Sequence, residues 1–190
     1  MKYEMTIRAR KIGINTLITV ITVITAVLLP QLFHFIGGLC GLGSSFGERL
    51  LPMHLPIIFI GLYSGKYVGL ATGFLTPIIS HLLSGMPKIS ILPFIVIELL
   101  AYGVSAGCLK DIKMAIAIKV LLIQVIGRLI RSAAILFSIY CLNNSNVNVS
   151  IITSSVVTGV WGIALQLILI PLAICWANNI SKKTENKDVF

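Results

Sequence analysis

From Asn15 to Ile36 the chain carries no Asp, Glu, Lys or Arg. Long apolar runs return at about 66–84, 91–110, 113–140 and 151–178, broken by only a few charges. A stretch of about 20 apolar residues is what a bilayer core of ~30 Å demands of a helix. A soluble domain of 190 residues needs a polar surface. Here 57% of residues are hydrophobic, only 11% are charged, and the mean hydropathy is +1.00, which leaves too little to build one. The runs are far longer than barrel strands and show no alternation of lipid-facing with lumen-facing residues. The chain reads as an all-α integral membrane protein.

A net charge of +9 raises the possibility of a nucleic-acid partner, but its placement excludes that reading. Lys2, Arg8, Arg10 and Lys11 precede the first run, and Lys182, Lys183 and Lys187 follow the last. Basic residues at membrane edges set topology. The first run is too long for a signal-peptide core and no A-x-A site follows it, so it is expected to be retained. Cys40, Cys108, Cys141 and Cys175 are scattered and form no C-x-x-C, which supports neither a metal knuckle nor a disulfide framework.

Six segments emerge within one domain spanning 1–190: about 15–36, 52–63, 66–84, 91–110, 113–140 and 151–178. The second has 12 residues and cannot span alone as a straight helix. With both termini on one side, that side holds the two basic tails, Lys66, Lys110, Lys113 and Lys119. The other holds Arg49 and Lys88. The expected fold is a compact six-transmembrane-helix bundle with both termini cytoplasmic.

Counting 1.5 Å per residue from the ends of these segments brings the unusual polar residues to one depth. His34, His54 and His81 fall near outer ends. Glu98 falls ~10 Å inward from the start of the fourth helix, and Arg128 and Arg131 fall in the outer half of the fifth. Each charge at mid-membrane costs roughly 2.5–3.5 kcal/mol, so such residues seek partners or line a site. Gln124, Arg128 and Arg131 share one helical face, and Tyr102 lies one turn from Glu98. The expectation is a polar chamber open to the outside, walled in part by Trp161. The plainer alternative is a structural ion pair of Glu98 with Arg128 or Arg131 that pins two helices. For His34 an interfacial role is favoured. His54, between Pro52 and Pro56, and His81 are the stronger candidates, because prolines and glycines shape the backbone around them.

Gly61, Gly65, Gly69 and Gly73 recur every four residues, as do Gly103 and Gly107. This spacing is expected to serve close packing within the bundle. Thr16, Thr19, Thr22 and Thr25, with Ala26 beside them, form a small, weakly polar stripe that can face either the bundle or a partner. The chain has no Walker A motif and no H-E-x-x-H. It also lacks the internal inverted repeat of many secondary transporters.

"PMHLPIIFIGLYSGKYVGLATGFLTPIISHLLSGMP" at 52–87, followed by "FIVIELLAYGVSAGCL" at 94–109, resembles the substrate-binding S components of energy-coupling factor vitamin transporters. The resemblance covers roughly residues 15–175. It implies a high-affinity site near the outer face, and partners in the form of a transmembrane T component and two cytoplasmic ATPases in a bacterial plasma membrane. The ATPases would use the ATP. This chain itself would bind no cofactor or metal and would be no enzyme. Loops at 37–50 and 85–90 would gate the site. The residues of the polar layer expected to bind the substrate are His54, His81, Glu98, Tyr102, Gln124, Arg128, Arg131 and Trp161. The A-x-x-x-A docking motif of the family is missing from helix one, and Thr22, Thr25 and Ala26 stand in its place as docking candidates. Two arginines, histidines and a glutamate suggest a ligand with an acidic group, such as pantothenate or a folate. A deazapurine precursor or a corrinoid stays open, since Glu98 can instead accept from ring nitrogens. Two rivals stand beside this reading: a solitary proton-coupled carrier using Glu98 and the histidines, and a small membrane-embedded enzyme using His and Glu as acid and base.

Overall fold

A computed structural model describes residues 2–41, 52–144 and 147–187, with side chains over 10–41, 52–144 and 147–180. Among them there are six helices and no strand: α1 (Lys2–Leu39), α2 (His54–Ser64), α3 (Lys66–Ser84), α4 (Leu92–Leu109), α5 (Ile116–Tyr140) and α6 (Ser150–Lys187). Five of them contain a stretch long and apolar enough to cross a membrane: Arg10–Leu39, α3, α4, α5 and Ser150–Ile180. The two terminal helices run further into the polar flanks than the apolar runs alone indicate. Lys, Arg and Glu are good helix formers, and no proline interrupts either flank within the helix.

Helix α2 is the exception in length and in burial. Its 11 residues rise only ~16 Å, yet it packs against α1, α3, α4 and α6 together. His54, Pro56, Ile57, Ile58, Ile60, Gly61 and Leu62 are all buried. A helix apolar on every face is a buried one, and α2 is the plug around which the longer helices stand. Pro56 falls in its first turn, where a missing N–H leaves no intrahelical bond unmade. Gly65 ends it with φ of 100°, while its N–H still donates to the Gly61 carbonyl. A side chain is strained at that φ, so glycine permits the chain to reverse straight into α3.

The spaced glycines are what bring α2, α3 and α4 together. A Cβ on Gly69 would run into the Gly103 carbonyl, and one on Gly103 into that of Gly69. A Cβ on Gly73 would meet the Leu99 carbonyl, one on Gly107 the backbone of Lys66, and one on Gly61 the Ala106 methyl. The intrabundle packing expected from the four-residue spacing is therefore what the structure contains. Small residues let backbones touch where lipid supplies no hydrophobic drive between helices.

Helix α5 runs antiparallel to α4 in a register that holds along its length. Arg131 faces Glu98, Gly127 faces the Tyr102 ring, and Lys119 donates to the Lys110 carbonyl at 2.8 Å. The core joins these layers through Ile57, Ile58, Leu99, Tyr102, Ile123 and Ile170. The outer faces are as apolar as the inside, with Ile24, Leu28, Val157 and Leu172 well exposed.

Candidate functional site

Glu98 lies in α4 and is 1% exposed. Its Oε2 accepts from Arg131 Nη1 of α5 at 2.7 Å, and its Oε1 accepts from the Tyr102 hydroxyl at 2.8 Å. Spacings of four along α4 put Glu98 and Tyr102 on one face, and Gly127 lets the Tyr102 ring lie against α5. His54, the first residue of α2, closes the group. Its Nε2 is 3.8 Å from Glu98 Oε2, too long for a hydrogen bond. Its ring meets that of Tyr102 edge-on, with centroids 5.3 Å apart. Three helices thus deliver a carboxylate, a guanidinium, a phenol and an imidazole to one buried point.

One and two turns away along α5, two more polar side chains reach across to α6. Arg128 Nη1 donates to the Ser155 carbonyl at 2.8 Å. Gln124 donates through Nε2 to Gln166 Oε1, and both amides are buried. Several polar atoms in this region have no hydrogen-bond partner although they are buried. They are both ring nitrogens of His54, the Nε of Arg128 and of Arg131, Oε1 of Gln124 and Oγ1 of Thr76. Buried polar atoms are ordinarily bonded, so this concentration marks the region apart from the rest of the bundle.

Of the residues named from sequence, His54, Glu98, Tyr102 and Arg131 meet directly, with Arg128 and Gln124 on the adjoining turns of α5. His54 is held inside, level with Glu98, because α2 begins within the bundle. The expected open chamber is corrected as well: the four groups close on one another, and Glu98 is sealed from the surface. Two surface cavities lie elsewhere. One, of about 430 Å3, is lined by Ser90, Phe94, Ile97, Ala134, Ser138 and Asn144 among others, one to two turns along α4 and α5 from Glu98 and Arg131. The other, of about 260 Å3, is an apolar groove between α1 and α3.

Trp161 does not wall the site. It is 68% exposed, because the inward face of α6 is set by Gly162, Gln166, Ile170 and Ile174, and Trp161 points off that stripe. His81 is bonded through Nδ1 to the Pro87 carbonyl at 2.8 Å. It ties down the α3–α4 connection, as does Ser80, whose hydroxyl donates to the Met86 carbonyl at 2.9 Å. His34, on α1, makes no hydrogen bond with the cluster. The threonine hydroxyls at 16, 19, 22 and 25 each donate to the carbonyl four residues back. Thr22 and Ala26 are buried inside the bundle, so an outside partner cannot reach them as docking residues, whereas Thr25 is exposed. The glycine-rich stretch expected to gate the site falls, from residue 42, outside the described residues. Sequence reasoning passed over Gln166, although an amide in the middle of an apolar run must find a partner.

No family model, curated protein or solved structure matches this chain. What the site can do is therefore read from its own groups. Among the described residues no three His, Cys, Asp or Glu side chains gather as a metal cluster would require. The groups present can accept and donate hydrogen bonds and carry charge of both signs in a setting with little water.

Proposed function

We propose that this chain is the substrate-binding subunit of an energy-coupling-factor importer. It would capture a small water-soluble micronutrient at the outer face of a bacterial plasma membrane and deliver it inward with a transmembrane T component and two ATPases. The observation that carries this reading is the buried layer of His54, Glu98, Tyr102, Gln124, Arg128 and Arg131. It contains polar atoms that no protein group satisfies, inside a bundle whose outer faces suit lipid. Intramembrane ionisable residues mark functional sites by default. The absence of a Walker A motif from the sequence fits a binding subunit that relies on partner ATPases. In this reading all six helices lie in the membrane, α2 as a half-length element, and the excess of Lys and Arg in the tails and in 110–119 puts both termini in the cytoplasm. A surface cavity of about 430 Å3, one to two turns along α4 and α5 from Glu98 and Arg131 and lined by none of the layer's residues, has the volume of a small-molecule site.

One observation favours a second reading. His54 Nε2 and Glu98 Oε2, 3.8 Å apart, are an acceptor and a carboxylate of the kind a proton-coupled carrier uses as a relay. Native mass spectrometry of the detergent-purified chain, with identification of any small molecule released on denaturation, tests the main reading. A micronutrient at near one-to-one ratio is the expected result. A chain that neither retains nor rebinds any small solute would overturn it.

A further inference from the structure

The two arginines of α5 part company. Arg131 meets Glu98 at 2.7 Å, while Arg128 turns to α6 and meets a backbone carbonyl. From Pro52 to Ser181 the sequence holds two acids, Glu98 and Asp111. Asp111 lies past the end of α4, ~20 Å along the axis from Glu98. Arg128 therefore has no carboxylate partner among the described residues. A carbonyl dipole offsets only part of a guanidinium charge in apolar surroundings. The Nε–H of Arg128 and that of Arg131 are both buried and unbonded, and so are both nitrogens of His54. His54 is 7% exposed and Gln124 is 1% exposed, so water does not serve them from the surface.

The formal charges of this layer are one negative, on Glu98, and two positive, on Arg131 and Arg128. A single added carboxylate brings the layer to neutrality. A dianionic phosphate would leave a buried negative charge in its place, which is costly. The planar guanidinium fork also matches a carboxylate in shape. Gln124 donates to Gln166 and keeps Oε1 free, so it presents an acceptor one turn from Arg128. Resting on the reading of this chain as a solute-binding subunit, we propose that its solute is a monoanion. Its carboxylate is received by Arg128, and it carries an N–H or O–H group that donates to Gln124.

The test is equilibrium dialysis of the detergent-purified full chain against a defined mixture of water-soluble micronutrients. The mixture holds acids together with their neutral counterparts: pantothenate with panthenol, nicotinate with nicotinamide, biotin with its amide. Retained solutes are identified by mass spectrometry. The expected result is retention of a monocarboxylate, with its neutral counterpart bound about 30-fold or more weakly, the low end of the loss when one partner of a desolvated charge pair is removed. Arg128→Gln should lose the discrimination between acid and neutral form while keeping the elution profile of the folded chain. Should Arg128→Gln fail to fold, the wild-type preference and an Arg128→Lys variant, which keeps the charge and loses the fork, still decide the matter. Retention of a neutral or cationic solute, or equal retention by Arg128→Gln, would overturn the monoanion while leaving the binding-subunit reading in place. Retention of nothing would overturn both.

Discussion

At Glu98, two hydrogen bonds converge on one carboxylate with the His54 ring beside it, and the arrangement makes separable predictions. Glu98→Gln leaves Arg131 buried without a counter-charge, and breaking a buried pair from one side costs about 3–5 kcal/mol. Thermal unfolding in detergent should show that loss. The double variant Glu98→Gln/Arg131→Met should be less destabilised than the two single losses added together, whereas strict additivity would show that the pair is not coupled. Tyr102→Phe removes one hydrogen bond and no packing, for about 0.6–1.7 kcal/mol inside a membrane bundle. His54→Phe should behave the opposite way. Its nitrogens are unbonded in the structure, so removing them costs little stability, while solute binding should fall; a variant that binds normally would take His54 out of the site. That these residues share one level of the bundle was legible in the sequence because rise along a helix is fixed. Their azimuth was legible only where a second polar residue lay at the right spacing, as for Glu98 with Tyr102. Trp161 had no such mark. In a lipid-facing helix both faces are apolar, so hydrophobicity does not say which one turns inward.

The glycine seam is the device at the scale of elements. Helices α3 and α4 touch backbone to backbone at Gly69 and Gly103, with Leu99, next to Glu98, against Gly73. Gly69→Leu or Gly103→Val must push the helices apart, because the obstructing atoms are backbone and cannot rotate away. The expected loss is at least about 3 kcal/mol, the upper end of overpacking, together with weaker binding as Glu98 shifts from His54. Gly13→Leu is the matched control. A Cβ there meets nothing within 4 Å, and unfolding temperature and binding should both stay unchanged. The seam was legible from the four-residue spacing. The centrality of α2 was not, since a run too short to span reads as a loop or a re-entrant piece until its neighbours are known. The same limit applied to Thr22 and Ala26, where a stripe of small residues suits a partner and the bundle equally well. Burial assigns those two to the bundle.

For the whole molecule, the proposed orientation, with both termini cytoplasmic, would put the ends of α1 and α5 outside and the α4–α5 turn inside. Four exposed cysteines make this testable. In single-cysteine variants on intact cells, a membrane-impermeant maleimide should label Cys40, after α1, and Cys141, after α5. It should label Cys108, near the end of α4, only once the membrane is opened. The reverse pattern would invert the orientation and put the polar layer on the cytoplasmic side of the bilayer. All-helical class and membrane-length runs were plain from composition, because no polar surface can be drawn from so few charged residues. Dependence on partner proteins leaves no such trace in a single chain. Its most direct test is uptake of the retained solute by cells carrying this chain, with and without the ATPase subunits of an energising module. The account predicts uptake that is lost when those ATPases are deleted, with solute binding by the purified chain unchanged. Uptake that persists without them and follows the proton gradient would contradict it and establish a solitary carrier.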